Sequence, residues 1–203
     1  MSRRTIMIVG NGSVPEGAAA KIDAADTVIR FNDCRSVGPS GSKTDIVAVC
    51  NTGRPARSML EGGWKTNAAV CRAKEIWSVR SAEKFSKMRA GLIEAYPDLG
   101  DFCDDYTRDF AAYAEMTGRL HRVLPAHVHE QLDRDLARFS PAPYVVPSSG
   151  MVVIAAVLSG FAKREDDVML TGFDHVGWEL HPFTAERRLV ETLISQGHLR
   201  RLA

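Results

Sequence analysis

The sequence predicts a three-layer α/β fold, a mostly parallel sheet flanked by helices. Three observations carry this expectation. Short apolar runs alternate along the chain with longer stretches of helical composition, the pattern of a parallel sheet covered on both faces. A strand, a glycine turn, a helix and a second strand follow one another within about 30 residues, the size of one βαβ-type unit. The 203 residues, 45% hydrophobic and 25% charged, suit one globular domain with a sizeable core. That domain is expected to span 1–203.

Thr5–Val9 reads as the first strand, and Gly10–Ser13 as the turn that ends it. Glu16–Ala25 is rich in alanine and reads as a helix. Thr27–Phe31 is expected to be the second strand, Asp45–Val49 the third and Glu75–Val79 the fourth. Helices are expected within Arg57–Ala73 and over Ala82–Tyr96 and Tyr106–Met116. A short strand near Arg122–Leu124 leads into a polar helix, His127–Phe139, which the three prolines of Ser140–Pro147 terminate. Met151–Ala162 is apolar and small, so it reads as a buried helix. Asp167–Phe173 is a further strand, and Thr184–Leu199 the last helix. The acidic stretch Leu99–Arg108 reads as a solvated surface.

Composition excludes several classes of function. A formal net charge of +1 offers no broad attraction to nucleic acid or to an anionic membrane. The apolar run Ile6 to Val9 is too short for a signal-peptide core or a membrane span, so no membrane span and a cytoplasmic location are expected. The four cysteines, Cys34, Cys50, Cys71 and Cys103, form no C-x-x-C pair and read as free thiols. No Asp-x-Asp motif occurs where a nucleotide-bound metal would be expected, and Asp104-Asp105 and Asp166-Asp167 read as surface or helix-end charges. His127 and His129, two apart on a helix, face different ways and make a poor metal pair. No metal and no cofactor are expected.

Ligands bind open parallel sheets beyond the carboxyl ends of the strands. Gly10-Asn11-Gly12 sits at that edge. Glycine permits a sharp turn and a close ligand approach, and the Asn11 amide both donates and accepts, which suits a ribose or a pyrimidine edge. The same pair also serves as an ordinary turn. Gly10, Gly12 and Asp33 further match part of the dinucleotide fingerprint, but its third glycine falls on Pro15.

The wider order of residues resembles the sialyltransferase family. Ile8-Val9-Gly10-Asn11-Gly12, then Ile22-Asp23, Asp26 and Val28-Ile29-Arg30-Phe31-Asn32, look like the long sialyl motif, closed by Gly41, Lys43 and Thr44. Pro147-Ser148-Ser149-Gly150, followed by Val168 to Phe173, resembles the short motif. His181-Pro182-Phe183-Thr184-Ala185-Glu186 is similar to the family's H-x-x-x-x-E signature. The resemblance covers roughly the first 45 and last 60 residues. Short bacterial proteins of this type are also labelled urease-operon accessory proteins. The chain departs from the family in lacking a cysteine in either motif. It also lacks a clear histidine-and-aromatic motif, for which His175 or Trp178 stands in.

The resemblance implies a sialyltransferase-type fold and a metal-independent, inverting glycosyltransferase. It would move an acidic sugar, sialic acid or a Kdo-like one, from a CMP-sugar donor to a hydroxyl of a glycan or glycolipid acceptor. His181 would be the base, because a neutral imidazole titrates near the working pH, with Glu186 beside it. Gly10, Asn11, Gly12, Asn32, Ser148, Ser149 and Gly150 would bind the nucleotide, the serines at a helix start suited to anions. His175 would serve phosphate or acceptor. Arg30 reads as a buried structural charge paired with Asp26 or Asp45. Two other readings stand beside this one: a non-catalytic nucleotide-binding accessory protein, and a dinucleotide-binding oxidoreductase.

Overall fold

A computed structural model describes residues 3–202. Met1, Ser2 and Ala203, the ends of the expected domain, lie outside the described residues. The strands are β1 (Thr5–Val9), β2 (Thr27–Phe31), β3 (Ile46–Val49), β4 (Glu75–Ser78), β5 (Leu120–Val123), β6 (Asp167–Thr171) and β7 (Arg200–Arg201). They form one sheet in the order β5-β4-β3-β2-β1-β6-β7, and every adjacent pair is parallel. The helices are α1 (Ala18–Asp23), α2 (Gly53–Glu61), α3 (Ala68–Arg72), α4 (Ala82–Ala95), α5 (Thr107–Met116), α6 (Ala126–Ala137), α7 (Ser149–Ala156) and α8 (Phe183–Ser195).

Alternation along the strands builds the three layers. Successive side chains point to opposite faces. Ile6, Ile8, Ile29 and Ala48 therefore join Leu132, Val153 and Val190 from α6, α7 and α8 in one core. Met7, Val9 and Val28 pack on Ile22 of α1. Val47, Val49 and Ile76 pack on Met59, Val70 and Phe110 of α2, α3 and α5. The expected layered α/β architecture is thus observed.

Several boundaries differ from those the sequence predicts. α1 begins at Ala18 because Gly17 is left-handed at φ 75° and the preceding loop includes Pro15. The helix of small residues runs through α7 into a π-turn at Val157–Phe161. The last helix stops at Ser195, since Gly197 adopts φ 75° and turns the chain into β7. Leu99–Arg108 is not a purely solvated surface: Cys103 is buried, and Phe102 stacks on Phe85 at 6.0 Å.

Arg30 is fully buried, as expected, but its partners are not Asp26 or Asp45. Its Nε donates to the Lys43 carbonyl at 2.9 Å, and its Nη2 to the Ser40 carbonyl at 2.8 Å. Asp26 instead accepts from the Thr5 amide, and Asp45 from the Val28 amide. Asp23 accepts from the Ser42 and Lys43 amides. Arg30 and Asp23 hold the turn between β2 and β3 in place, Asp45 ties its end to β2, and Asp26 ties the start of β1.

Candidate functional site

The sheet order contains one reversal. The chain runs outward from β1 to β5, then returns to place β6 on the other side of β1. Such a switch point opens a crevice at the carboxyl ends of the strands, where α/β sheets bind ligands. The crevice is present as a cleft of about 480 Å³ whose lining includes Asn11, Asn32, Ser149, His175 and His181. That volume lies within the roughly 300–1,000 Å³ usual for small-molecule sites.

Its floor is made by two loops in direct contact. The Gly10 amide donates to the Thr171 carbonyl, and the Gly12 amide to the Gly172 carbonyl, both at 2.9 Å. A Cβ at Gly10 would overlap the Gly172 carbonyl oxygen, and Gly172 itself has φ +72°. These glycines serve the contact between loops, and both amides are committed to it. A carboxylate oxygen of Asp174 accepts from the Ser13 amide at 3.0 Å and lies 2.6 Å from where a Gly12 Cβ would stand. An internal carboxylate thus takes the anion position of this loop. Asp33, the would-be ribose acid, is paired with Arg35 at 3.2 Å. The dinucleotide fingerprint is therefore not realised.

Asn11 and Asn32 stand at adjacent strand tips. Asn11 donates from Nδ2 to the Phe31 carbonyl at 3.3 Å, which fixes the amide's orientation, because a carbonyl only accepts. Its Oδ1 is buried without a partner among the described residues. Asn32 has φ 52°, and its Oδ1 accepts from the Cys50 amide at 2.9 Å. His175, also left-handed at φ 52°, lines the cleft with Nε2 buried and unpartnered among the described residues. Burial, then Arg201 and Arg187, hold its imidazole below the ordinary range.

Ser148 caps α7 by accepting from the Met151 amide at 3.2 Å. Ser149 and Gly150 open the helix, where the first amides have no partner within it. Glu186, 1% exposed, accepts from the Ser148 amide at 2.6 Å and from its hydroxyl at 2.7 Å. Both carboxylate oxygens are engaged, so Glu186 fastens α8 to the start of α7. Burial pushes its carboxyl above the ordinary value, and the two bonds from Ser148 oppose that rise.

His181 sits half-buried at the mouth of this helix start. Its Nδ1 lies 2.8 Å from the Val146 carbonyl, so Nδ1 carries the proton and Nε2 the lone pair. Burial holds the imidazole below its ordinary range, against the Val146 bond and together with Arg80. Edge contacts from Trp178 at 5.0 Å and Phe183 at 5.4 Å fix the ring. The sequence-predicted residues therefore converge on one cleft, with Ser148 and Glu186 forming its frame.

Sequence reasoning missed the neighbouring chamber of about 350 Å³, which shares Asn32, Ser149 and His181 with the cleft and adds Cys50, Arg80, Phe102 and Trp178. The one signal was a charge, Arg80, directly after an apolar strand. Among the described residues, no group of three His, Cys, Asp or Glu side chains is placed to hold a metal. No helix among them is long and apolar enough to cross a membrane.

The urease operon 23 kDa accessory protein of Rhizobium meliloti (strain 1021) is 66% identical over 202 residues, covering 99% of this chain and 94% of that protein. No family model matches the chain. Among solved structures, a mammalian sialyltransferase has a similar fold, with TM-score 0.59 and 17% identity over 99% of this chain and 69% of that one. Sialyltransferase CST-II in complex with trisaccharide acceptor and CMP has TM-score 0.50 and 16% identity over 98% of this chain and 81% of that one. The sialyltransferase-type fold expected from the motifs is confirmed. The expected enzyme is not. At these identities the likeness to transferases is one of fold, whereas the near-full-length relative is an accessory protein. The glycosyltransferase reading is corrected accordingly.

Proposed function

The chain belongs to the family of the urease operon 23 kDa accessory protein, and from that premise we propose that it is a non-catalytic accessory protein whose switch-point cleft binds a cytidine nucleotide. The observation that carries this reading is a pair of buried polar atoms without partners among the described residues, Asn11 Oδ1 and His175 Nε2, on residues that line one cleft. Buried polar atoms in native proteins are almost always paired, so two orphans on residues that line one cavity call for a ligand. Asn11 Oδ1 can only accept. The N4 amine of cytosine donates to it, and the O4 carbonyl of uracil does not. The open amides of Ser149 and Gly150 suit the phosphate. CMP also occupies one protein of similar fold.

Four cysteines free among the described residues support a reducing, cytoplasmic setting for this protein. Burial pushes the Cys34 thiol up to about 12, which makes it inert.

Calorimetry with CMP, UMP and NAD tests the reading. CMP binds the wild type, UMP and NAD bind at least about tenfold more weakly, and Asn11→Ala removes the preference for CMP over UMP. Equal affinity for CMP and UMP would sink the cytidine assignment. Release of CMP from a CMP-linked sugar above the buffer rate would sink the non-catalytic half.

A further inference from the structure

The chamber beside the cleft contains a cation that no carboxylate among the described residues neutralises. Arg80 is 6% exposed and stands just past the end of β4. Its position is held from both sides by Asn51, which accepts from the Arg80 amide at 2.7 Å and donates to its carbonyl at 2.9 Å. The guanidinium lies over the Phe102 ring at 4.4 Å and the Phe85 ring at 5.0 Å. Nη1 donates to Thr52 Oγ1 at 2.5 Å. Nε and Nη2 make no hydrogen bond among the described residues, and no carboxylate there lies within ion-pair distance. The one acid lining the chamber, Asp101, is taken by Arg54 at 2.9 Å.

A buried charge is costly unless paired and hydrogen-bonded. A guanidinium with open donors in a fixed fork is the geometry that binds carboxylate and phosphate. The opening turn of α7 borders the same chamber at Ser149 and adds partial positive charge. The aromatic wall of Phe102 and Trp178, stacked at 5.3 Å, keeps the surroundings apolar and strengthens the attraction.

We infer that the chamber is an oxyanion subsite in which Arg80 holds a carboxylate or phosphate. Resting on the cytidine reading, the molecule bound is a nucleotide accompanied by a second acid group next to its phosphate. That group is either attached to the nucleotide or supplied as a separate ion. The inference extends the proposed function by assigning Arg80 and the chemical class of what lies beyond the nucleotide.

The test uses the full chain in buffer free of phosphate and sulfate. The Arg80 Nε–H resonance, identified by its absence in Arg80→Lys, is followed while inorganic phosphate is added, alone and with saturating CMP. CDP and CMP are then compared by calorimetry on wild type and Arg80→Gln. A saturable shift with phosphate, undiminished by CMP, supports the subsite with a separate ion as its source. CDP binding about tenfold tighter than CMP in the wild type, with the ratio falling to about one in Arg80→Gln, supports an attached group. Absence of both responses overturns the inference, and the wild-type comparison of CDP with CMP decides it even if the variants fail to fold. Phosphate binding without CMP binding would overturn the cytidine reading alone. CMP binding with both anion arms silent would overturn this inference alone.

Discussion

Arg30 and Arg80 are both buried, and neither has a carboxylate within ion-pair distance among the described residues. Arg30 lies inside β2 and spends Nε, Nη1 and Nη2 on Lys43 and Ser40 of one turn. Arg80 lies past the end of β4, spends Nη1 on Thr52, and turns the rest toward a chamber. The difference is one of position along a strand. Inside the sheet, the chain can fold a turn back and saturate the cation. At the carboxyl edge of β4, the chamber occupies the space where such a turn would have to be. A buried charge closed by its own backbone is part of the fold, and one left open is part of a site.

Removing the closed cation has the largest expected effect. Arg30→Met leaves the Ser40 and Lys43 carbonyls without donors and costs on the order of 3 kcal/mol in urea unfolding. Arg80→Gln, open on one side, costs less than half of that. Equal losses would erase the distinction between the two arginines.

Glu186 is a closed anion and sharpens the comparison through pH. Its carboxyl is raised above its ordinary value of 4.5 by burial, so the folded state holds the proton more tightly than the unfolded one. Its contribution is therefore most favourable at low pH and declines as pH rises through 4.5 toward the folded value. The stability difference between wild type and Glu186→Gln, measured by urea titration from acid to neutral pH, falls over that window. A difference that grows with pH would mean that the two bonds from Ser148 outweigh burial.

The smallest effect concerns one acceptor. Ser40→Ala removes the hydroxyl 2.5 Å from Arg30 Nη1 but leaves both carbonyl bonds, and costs about 1 kcal/mol. The affinity for CMP stays unchanged, because the turn lies outside the cleft. A loss of CMP binding would show that the turn and the cleft are coupled.

Much of this was legible in the sequence. The strands that support the cleft are runs of Ile and Val, such as Ile6 to Val9, whose apolar character alone marks them as buried. Asn11, Asn32 and His181 follow β1, β2 and β6, the strands that flank the crevice, and Ser149 opens α7. The chamber was not legible, because Arg80, Phe102 and Trp178 are far apart in sequence and meet only through the fold. Leu99–Arg108 reads as solvent-facing by its acids, yet Phe102 turns inward to stack on Trp178. β7 is two residues long, too short for any periodicity, although Gly197 marks where the helix must end. The roles of Asp23, Asp26 and Arg30 follow the same logic. Their motif identifies them, but only the hydrogen bonds separate framework from site.

The contact between Gly10 and Gly172 gives the cleft a floor of fixed gauge. No side chain separates the two loops, and the bonds from Gly10 and Gly12 to Thr171 and Gly172 tie them like adjacent planks. A ligand cannot prise them apart without breaking backbone bonds beneath it. On the chamber side, Trp178 bridges Phe102 and His181 by ring contacts at 5.3 and 5.0 Å. The cleft thus rests on a rigid tray whose gauge the backbone sets.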